Sequence, residues 1–363
     1  MKALIRLLAA TLFVVFAAQT ATAQDKYPSR TVRIVVPYAP GGATDIVARI
    51  VADEMQKIGG QPVIVLNKPG AFGMIAIDEM VKAAPDGYTL MVGNVSTNAI
   101  TPVLYADKMN YDYRKKVAAV TNLINIPAFL LVTTANDFSV KTVKDLIDYA
   151  KKNPGKVRYG TVGVGSYPHY DMAYFGKKAG DLDLVALPNK NGATGVIQDM
   201  LRGDVQASFL NVASSAGQVR AGKLVPIAVV NDKRLSDYPN VPTMAEAGYK
   251  DVGTIAWNGM FAPADTPKPV LQKVFELATK ALNSEEVQAK LHKQNFDITP
   301  NKSLDDANKW LDGEISHWKT ITSQVKGPPR DERQSARITS SSVAPPRLRR
   351  RRSHSSATSA PLA

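Results

Sequence analysis

Strand and helix patterns alternate without a break from residue 31 to residue 94, and this alternation limits the possible folds more than any other feature. Apolar runs rich in β-branched residues predict three strands, at 31–37, 62–67 and 88–94. Apolar residues at helical spacing predict helices between them, at 46–60 and 74–83. Strands connected in this way are parallel and have right-handed crossovers. The sequence therefore predicts an α/β fold.

The same alternation resumes after an irregular stretch and then gives way to helices. Five further strands are predicted, at 126–134, 157–161, 182–187, 205–211 and 223–230, followed by a partner strand and by helices at 267–282, 284–294 and 303–325. Helices without a sheet would have nothing to cover, so we expect the last ones to pack on the first unit. This predicts lobe 1 from residues 24–126 and 233–326, lobe 2 from 127–232, and a cleft between the two lobes.

The first residues have the pattern of an export signal. Lys2 and Arg6 precede an apolar run at 7–18, and Ala21-Thr22-Ala23 is typical of a cleavage site. The alternative is a membrane anchor, but a spanning helix needs about 20 apolar residues. We therefore expect a signal peptide at residues 1–23 and a mature protein outside the cytoplasm, in the periplasm of a diderm bacterium.

The net charge of +13 owes much to the last part of the chain. Residues 327–363 hold eight arginines against Asp331 and Glu332, and they show no apolar periodicity. Such a segment buries too little apolar surface to fold, so we expect a disordered basic tail. It is either a binding segment for nucleic acid or acidic membranes or an extension without function. An exported protein rarely meets nucleic acid, so we expect no nucleic-acid partner.

Composition excludes several kinds of site. The chain has no cysteine, which rules out disulfides, zinc–thiolate sites and thiol catalysis. Its four histidines are not paired at metal-ligand spacing. We expect no metal and no cofactor.

The loop after the first strand has the features of an anion site. "PYAPGGATD" (37–45) places two glycines where a helix begins. A helix N-terminus offers unpaired N–H groups and a partial positive charge, and glycine lets a ligand approach the backbone. Neither a Gly-Lys-Ser/Thr ending nor G-x-G-x-x-G is present, so a carboxylate fits better than a phosphate. Gly41-Gly42 could instead form only a tight turn, and Asp45 is expected to cap the helix.

A second glycine-rich loop, "GTVGVGSYPH" (160–169), again joins a strand to a helix. Ligands of open sheets bind at the carboxyl ends of strands, so two such loops could hold a molecule with two anionic ends. Ser166 and His169 raise the alternative of a hydrolase. Pro168 stands where a G-x-S-x-G elbow needs its second glycine, so binding is favoured over catalysis.

Three further polar side chains are candidates for ligand contact. Ser96 and Thr97 follow the third strand and are plausible hydroxyl donors. Trp257 either shields a ligand or packs in the core.

Several motifs in a fixed order carry a resemblance to a known family. The chain resembles the Bug, or TctC-like, substrate-binding receptors of tripartite tricarboxylate transporters over about residues 24–325. The resemblance rests on a proline and an aromatic residue followed by G-G-x-x-D-x-x-A-R (37–49), "NKPGAFG" (67–73), "AAPDGYTL" (83–90), "GVGSYPH" (163–169), "KRLSDYPNVPTMAEAG" (233–248) and "WNGMFAPADTP" (257–267).

The resemblance implies a type II periplasmic-binding-protein fold, with two α/β lobes closing on a carboxylate. It further implies a receptor, not an enzyme, that passes its ligand to a membrane permease; a sensor protein is the alternative, and we expect a monomer. By position, it implies two groups of ligand-binding residues: Tyr38, Ala39, Gly41, Gly42, Thr44 and Asp45 in the first loop, and Val164, Gly165, Ser166 and His169 in the second.

The sequence departs from the family pattern in lobe 2. Asn189 and Asn191 stand where a tyrosine and a glycine are usual, and Leu210 replaces an aspartate before Asn211. That aspartate would suit an amino group or a hydroxyl, so its loss disfavours an amino-acid ligand. A di- or tricarboxylate or an aromatic carboxylate is expected, with Asn191 and Asn211 among the ligand-binding residues.

Overall fold

The computed structural model describes residues 27–189 and 191–325. The predicted signal peptide (1–23) and basic tail (327–363) lie outside this range. Two mixed sheets with helices packed against them make up the fold. Among the residues described, no helix is long and apolar enough to cross a bilayer.

The first sheet has six strands in the order β11-β4-β10-β3-β1-β2. As predicted, β1 pairs in parallel with both β2 and β3, whereas β10 runs antiparallel to β3 and β4. Its strands are β1 (Val32–Val36), β2 (Val63–Asn67), β3 (Thr89–Asn94), β4 (Val117–Ile126), β10 (Ala256–Pro263) and β11 (Asp297–Ile298).

The second sheet has five strands in the order β7-β6-β8-β5-β9. β6 pairs in parallel with β7 and β8, and β5 is antiparallel to β8 and β9. Its strands are β5 (Ala128–Thr133), β6 (Val157–Thr161), β7 (Leu184–Pro188), β8 (Ala207–Asn211) and β9 (Leu224–Val230).

Helices cover both sheets. The longer ones near the first sheet are α1 (Ala43–Gly59), α2 (Met74–Val81), α9 (Lys268–Leu282), α10 (Glu285–His292) and α11 (Leu304–Gln324), with the short α3 (Thr101–Leu104) and α4 (Tyr113–Lys116) between β3 and β4. The helices near the second sheet are α5 (Val143–Lys152), α6 (Tyr167–Lys178), α7 (Gly192–Arg202) and α8 (Val212–Arg220).

The first long helix shows why these segments fold as they do. In α1, Val47, Val51 and Met55 recur at helical spacing and are fully buried. Gly60 ends the helix in the left-handed conformation, at φ 67°, and donates its N–H to the Gln56 carbonyl. Apolar periodicity and a terminal glycine are thus sufficient to set this helix.

The C-terminal helices α9 and α10 pack on helix α1. A Cβ at Gly59 would lie 3.6 Å from Leu277 of α9, so α1 and α9 are in close contact. Lys57 of α1 also forms an ion pair with Glu286 of α10, at 2.6 Å.

Strand β4 and helix α8 were not predicted from the sequence. Strand β4 lies in the stretch that we expected to be irregular, because polar residues interrupt its apolar run; Thr121 and Asn122 are buried and hydrogen-bonded to Asn301. Helix α8 is rich in serine, alanine and glycine and has a weak apolar pattern. In both cases tertiary partners, not local sequence, determine the structure.

Candidate functional site

The loop between β1 and α1 presents backbone N–H groups at its surface. Gly41 has φ +91°, a conformation that a side chain would strain, and Gly42 precedes the first helical turn. Ile46 makes the first helical hydrogen bond, to the Gly42 carbonyl. Within the described part of the chain, no hydrogen bond engages the N–H groups of Gly42, Ala43 or Thr44. These are the donors that an anion would take.

Asp45 holds this loop in place. Its side chain is buried and accepts the Gly41 N–H at 2.9 Å and the Asn67 amide at 2.8 Å. Arg49 closes a bidentate ion pair with it, at 3.0 and 2.9 Å. Burial raises the pKa of the carboxyl group, but the hydrogen bonds from Arg49, Gly41 and Asn67 outweigh burial and lower it. Its partners are thus protein groups, and Asp45 positions the loop.

Tyr38 links the same loop to the end of β3. Its hydroxyl donates to Asn94 Oδ1 at 2.8 Å. The same amide oxygen accepts from the backbone N–H and the hydroxyl of Thr97, each at 3.2 Å. Burial raises the pKa of Tyr38, so the phenol stays protonated and neutral at neutral pH.

The second loop has a similar construction. Gly163 and Gly165 have φ of 131° and 78°, and Ser166 precedes α6. The Ser166 hydroxyl donates to the Gly163 carbonyl at 2.7 Å, whereas the Gly165 N–H reaches His169 Nδ1 at 3.4 Å. The Ser166 hydroxyl is therefore not hydrogen-bonded to the His169 imidazole, whereas a nucleophile would be bonded to its base. Burial lowers the pKa of His169, so this imidazole carries no charge at neutral pH.

The second loop is bonded to the end of β8 and approaches the first unit. Tyr167, the first residue of α6, donates its hydroxyl to Asn211 Oδ1 at 2.6 Å. Burial raises the pKa of Tyr167, and Asp171 and Tyr38 raise it further. A Cβ at Gly165 would lie 3.9 Å from Leu104 of α3, so this loop also approaches the first unit. Each loop thus carries a tyrosine bonded to an asparagine, the half-buried Tyr38 in the first and the buried Tyr167 in the second.

An anion at this site would be held without a basic side chain from either loop. Residues 37–45 and 160–169 contain no lysine or arginine, and Arg49 is paired with Asp45. The remaining sources of positive potential are the N-termini of α1 and α6. Where the structure describes the chain, it shows no group of three acidic or histidine side chains suited to a metal.

Asp171 connects the second loop to the chain segment that crosses between the sheets. It lies on α6 and is buried; its carboxylate accepts the Thr254 N–H at 3.0 Å and the Thr254 hydroxyl at 2.7 Å. Thr254 lies two residues before the start of β10 of the first sheet. Its neighbour Gly253 is packed so closely on the second sheet that a Cβ would meet Val230 at 2.5 Å. Asp171 therefore ties the loop-bearing helix to the crossing segment.

Trp257 belongs to the core. It is 2% exposed, and its indole N–H donates to Glu314 of α11 at 2.7 Å. The ring also packs edge-on against Trp310, at 4.6 Å between centroids. Of the two roles left open by the sequence, the structure supports packing.

We predict that Trp257→Phe leaves carboxylate affinity within about twofold of wild type. The variant loses the hydrogen bond to Glu314 and part of the indole contact, so unfolding should cost about 1–3 kcal/mol less. Calorimetric titration and chemical denaturation measure the two quantities. Loss of binding in a folded variant would show that Trp257 contributes to the ligand site.

The other residues that the sequence predicts as ligand contacts differ in their exposure and in their hydrogen bonds. Ala39 and Val164 are exposed, Ser96 is half-buried, and Thr97 is buried with its hydroxyl on Asn94. Asn191 is exposed and donates its N–H to Asn189, whose amide nitrogen is bonded to Asp199 at 2.6 Å.

Leu210 and Asn211 are adjacent in β8 but differ in surroundings. Leu210 is 1% exposed and belongs to the apolar core of the second sheet. Asn211 is half-buried and receives the Tyr167 hydroxyl. Of the two, Asn211 is therefore the one beside the second loop.

Asn94, Tyr167, Asp171 and Thr254 were not predicted from the sequence. Asn94 ends an apolar strand, Tyr167 and Asp171 lie in a helix of mixed apolar and polar residues, and Thr254 lies in an irregular segment. The one available signal is that Asn94 and Asn211 end strands that precede helical turns, the position at which ligands of α/β sheets are found.

Comparisons with known proteins agree with this geometry. Residues 47–326 match the model of the tripartite tricarboxylate transporter family receptor. A UPF0065 protein from the gbd 5′ region of Cupriavidus necator is 38% identical over 296 residues, covering 80% of this chain and 86% of the relative.

Two solved structures from Rhodopseudomonas palustris are also similar. Rpa4515 with adipate has a TM-score of 0.72 at 30% identity, covering 82% of this chain and 98% of that chain. MatC with bound malate has a TM-score of 0.69 at 29% identity, with coverage of 81% and 99%. The predicted resemblance and the two-lobed fold are confirmed.

Proposed function

The chain belongs to the tripartite tricarboxylate transporter receptor family, and we propose that it captures a small dicarboxylate between its two glycine-rich loops. Such a receptor works in the periplasm and hands its ligand to the membrane permease of a tripartite transporter. Export through a signal peptide at residues 1–23, a monomeric state and the absence of enzymatic activity are parts of the same proposal.

The observation that carries the proposal is the set of unbonded backbone N–H groups at the start of α1. Among the described residues, no hydrogen bond engages the N–H groups of Gly42, Ala43 and Thr44, and the second glycine-rich loop leads into α6, where the Ser166 and His169 N–H groups bond within the protein and the Tyr167 N–H does not. A dianion with a carboxylate at each end could engage one helix of each lobe. Adipate and malate, which are bound by two similar proteins, are dicarboxylates of this kind.

Closure follows from the two-lobed architecture. Strands β1–β4, β10 and β11 form one sheet and β5–β9 the other, which supports lobe boundaries near residues 126 and 232. A ligand that bridges both lobes binds the closed state more tightly than the open one, and this difference drives closure.

We predict that Gly42→Pro weakens binding of the best dicarboxylate about tenfold or more. Gly42 has φ −80° and ψ 166°, values that proline adopts, and no atom lies within 4 Å of its Cβ position. The substitution therefore removes one N–H donor with little strain, at a cost of about 1.5–3 kcal/mol for a bond to a charged group. Calorimetry with succinate, malate, adipate, citrate, terephthalate and glutamate measures the affinities.

Mass spectrometry of the ligand retained on purification provides an independent test. A carboxylate should be recovered from the wild type, and glutamate should bind weakly. The proposed function fails if none of the carboxylates binds the folded wild type. Tight glutamate binding would contradict the expected exclusion of amino acids.

A further inference from the structure

Asn258 is a buried amide without a partner. Its side chain is 1% exposed, its Oδ1 atom is enclosed and unpaired, and it makes no hydrogen bond within residues 27–189 and 191–325. Leaving a buried polar group unsatisfied costs about 1–3 kcal/mol. We therefore expect the Asn258 amide to find its hydrogen-bond partner in a bound molecule.

Asn258 lies beside the carboxyl end of β3, in the part of the first sheet that is next to loop 37–45. It is directly opposite Asn94, the last residue of β3, in an antiparallel pair. Residues directly opposite in such a pair place their side chains on the same face, with Cβ atoms about 4.5–5.5 Å apart. Asn94 in turn receives the hydroxyl of Tyr38 from the first loop. Alternation along β10 sends Trp257 to the other face, toward Glu314.

The chemistry of the unpaired atom limits what it can bind. An amide oxygen accepts hydrogen bonds, and an ionised carboxylate has none to donate. Asn94 Oδ1 already accepts from Tyr38 and Thr97, so the free acceptor in this asparagine pair is that of Asn258.

An ammonium group fits less well than a hydroxyl. A buried cation needs a carboxylate partner. The nearby Asp45 carboxylate is engaged by Arg49, Gly41 and Asn67. A neutral hydroxyl satisfies the Asn258 oxygen without requiring a counter-charge.

We propose that Asn258 determines ligand specificity by accepting a hydrogen bond from a hydroxyl group of the bound carboxylate. The receptor is thus selective for hydroxylated dicarboxylates over their unsubstituted counterparts. This inference rests on the proposed function. It assigns Asn258 as the side chain that contacts the ligand between its two carboxylates.

The test compares matched ligand pairs, succinate with malate and glutarate with 3-hydroxyglutarate, by calorimetry. In the wild type, the hydroxylated member of at least one pair should bind about tenfold more tightly or better. In Asn258→Leu, which keeps the number of side-chain heavy atoms, the preference should fall to within about twofold. The ligand-free variant should melt at or above the wild-type temperature, because an unsatisfied amide has been replaced by an apolar group.

Asn122→Leu is the matched control. Asn122 is also a buried asparagine with an unpaired Oδ1, but its amide nitrogen donates to Asn125 and Thr299 within the protein. This variant should melt at a lower temperature and keep the ligand preference. A wild type that binds the dicarboxylates without preferring a hydroxyl, or an Asn258→Leu variant that keeps the preference, overturns the inference and leaves the proposed function intact. A wild type that binds neither member of any pair overturns both.

Discussion

Asp45→Ala is expected to lower the free energy of unfolding by about 2–4 kcal/mol and to weaken dicarboxylate binding at least 100-fold. The buried carboxylate satisfies the Gly41 N–H, the Asn67 amide and the Arg49 guanidinium together. Hydrogen bonds to charged groups contribute about 1.5–3 kcal/mol each, and Arg49 recovers part of its loss because it is about half exposed. Without Asp45, the Gly41–Gly42 turn loses the hydrogen bond that orients its backbone N–H groups.

Asp145→Ala is the matched control for this variant. Asp145 occupies the same third position of its helix, α5, and forms a capping box with Thr142, but it is exposed and far along the chain from either loop. Its loss should cost about 1 kcal/mol of stability, as for other helix caps, and leave binding unchanged. Urea denaturation and calorimetry give both values. If Asp45→Ala binds as tightly as wild type, the loop is positioned by something other than this carboxylate.

The sequence was most informative where local patterns alone determine structure. The apolar pattern predicts a helix at 46–60, and the structure begins it at Ala43, directly after the two glycines. Asp45 does not cap this helix as expected: it accepts the N–H of Gly41, one residue before the helix cap Gly42, and Arg49 and Asn67 could not be assigned as its partners. Asn67 is 22 residues away in another strand, and only the parallel pairing of β1 with β2 brings it close.

The rest of the site depends on pairings that one sequence does not encode locally. Asn94 and Asn258 are opposite each other because β10 returns antiparallel from far along the chain. Trp257 illustrates the same difficulty: its indole could have faced a ligand, and only the packing of α11 shows which face of β10 is covered. Alternation then places its neighbour on the other face. Polar residues inside apolar strands are the sequence signal for such positions, although β4 shows that they also occur in ordinary structural roles.

Asp171 should make the stability of the protein depend on pH in the range from about 4 to 7. Burial raises the pKa of this carboxyl group to about 7, despite the two hydrogen bonds from Thr254 that favour its ionised form. In the unfolded chain the value is about 3.9. The native state therefore holds a proton that the unfolded state has released, and stability from this group is fully present below about pH 4 and is lost as the pH rises to about 7.

Comparison of variants isolates this contribution from that of other groups, such as His169, whose burial-lowered pKa acts in the opposite direction. The unfolding free energy of wild type minus that of Asp171→Asn should fall by about 2–3 kcal/mol between pH 5 and pH 8. Thr254→Val removes a donor that stabilises the charged carboxylate, so this variant should lose more stability than wild type over the same interval.

Denaturation at several pH values supplies these differences, and ligand titration at the same pH values links them to function. Asp171 lies on the helix whose N-terminus forms the second loop, and it bonds to the segment that leads back into the first sheet. A weakened Asp171–Thr254 contact should therefore change dicarboxylate affinity as well as stability, and more so in Thr254→Val than in Asp145→Ala. A wild type and an Asp171→Asn variant with parallel pH profiles would show that Asp171 is ionised throughout, and that the crossing segment is bonded to a permanent charge.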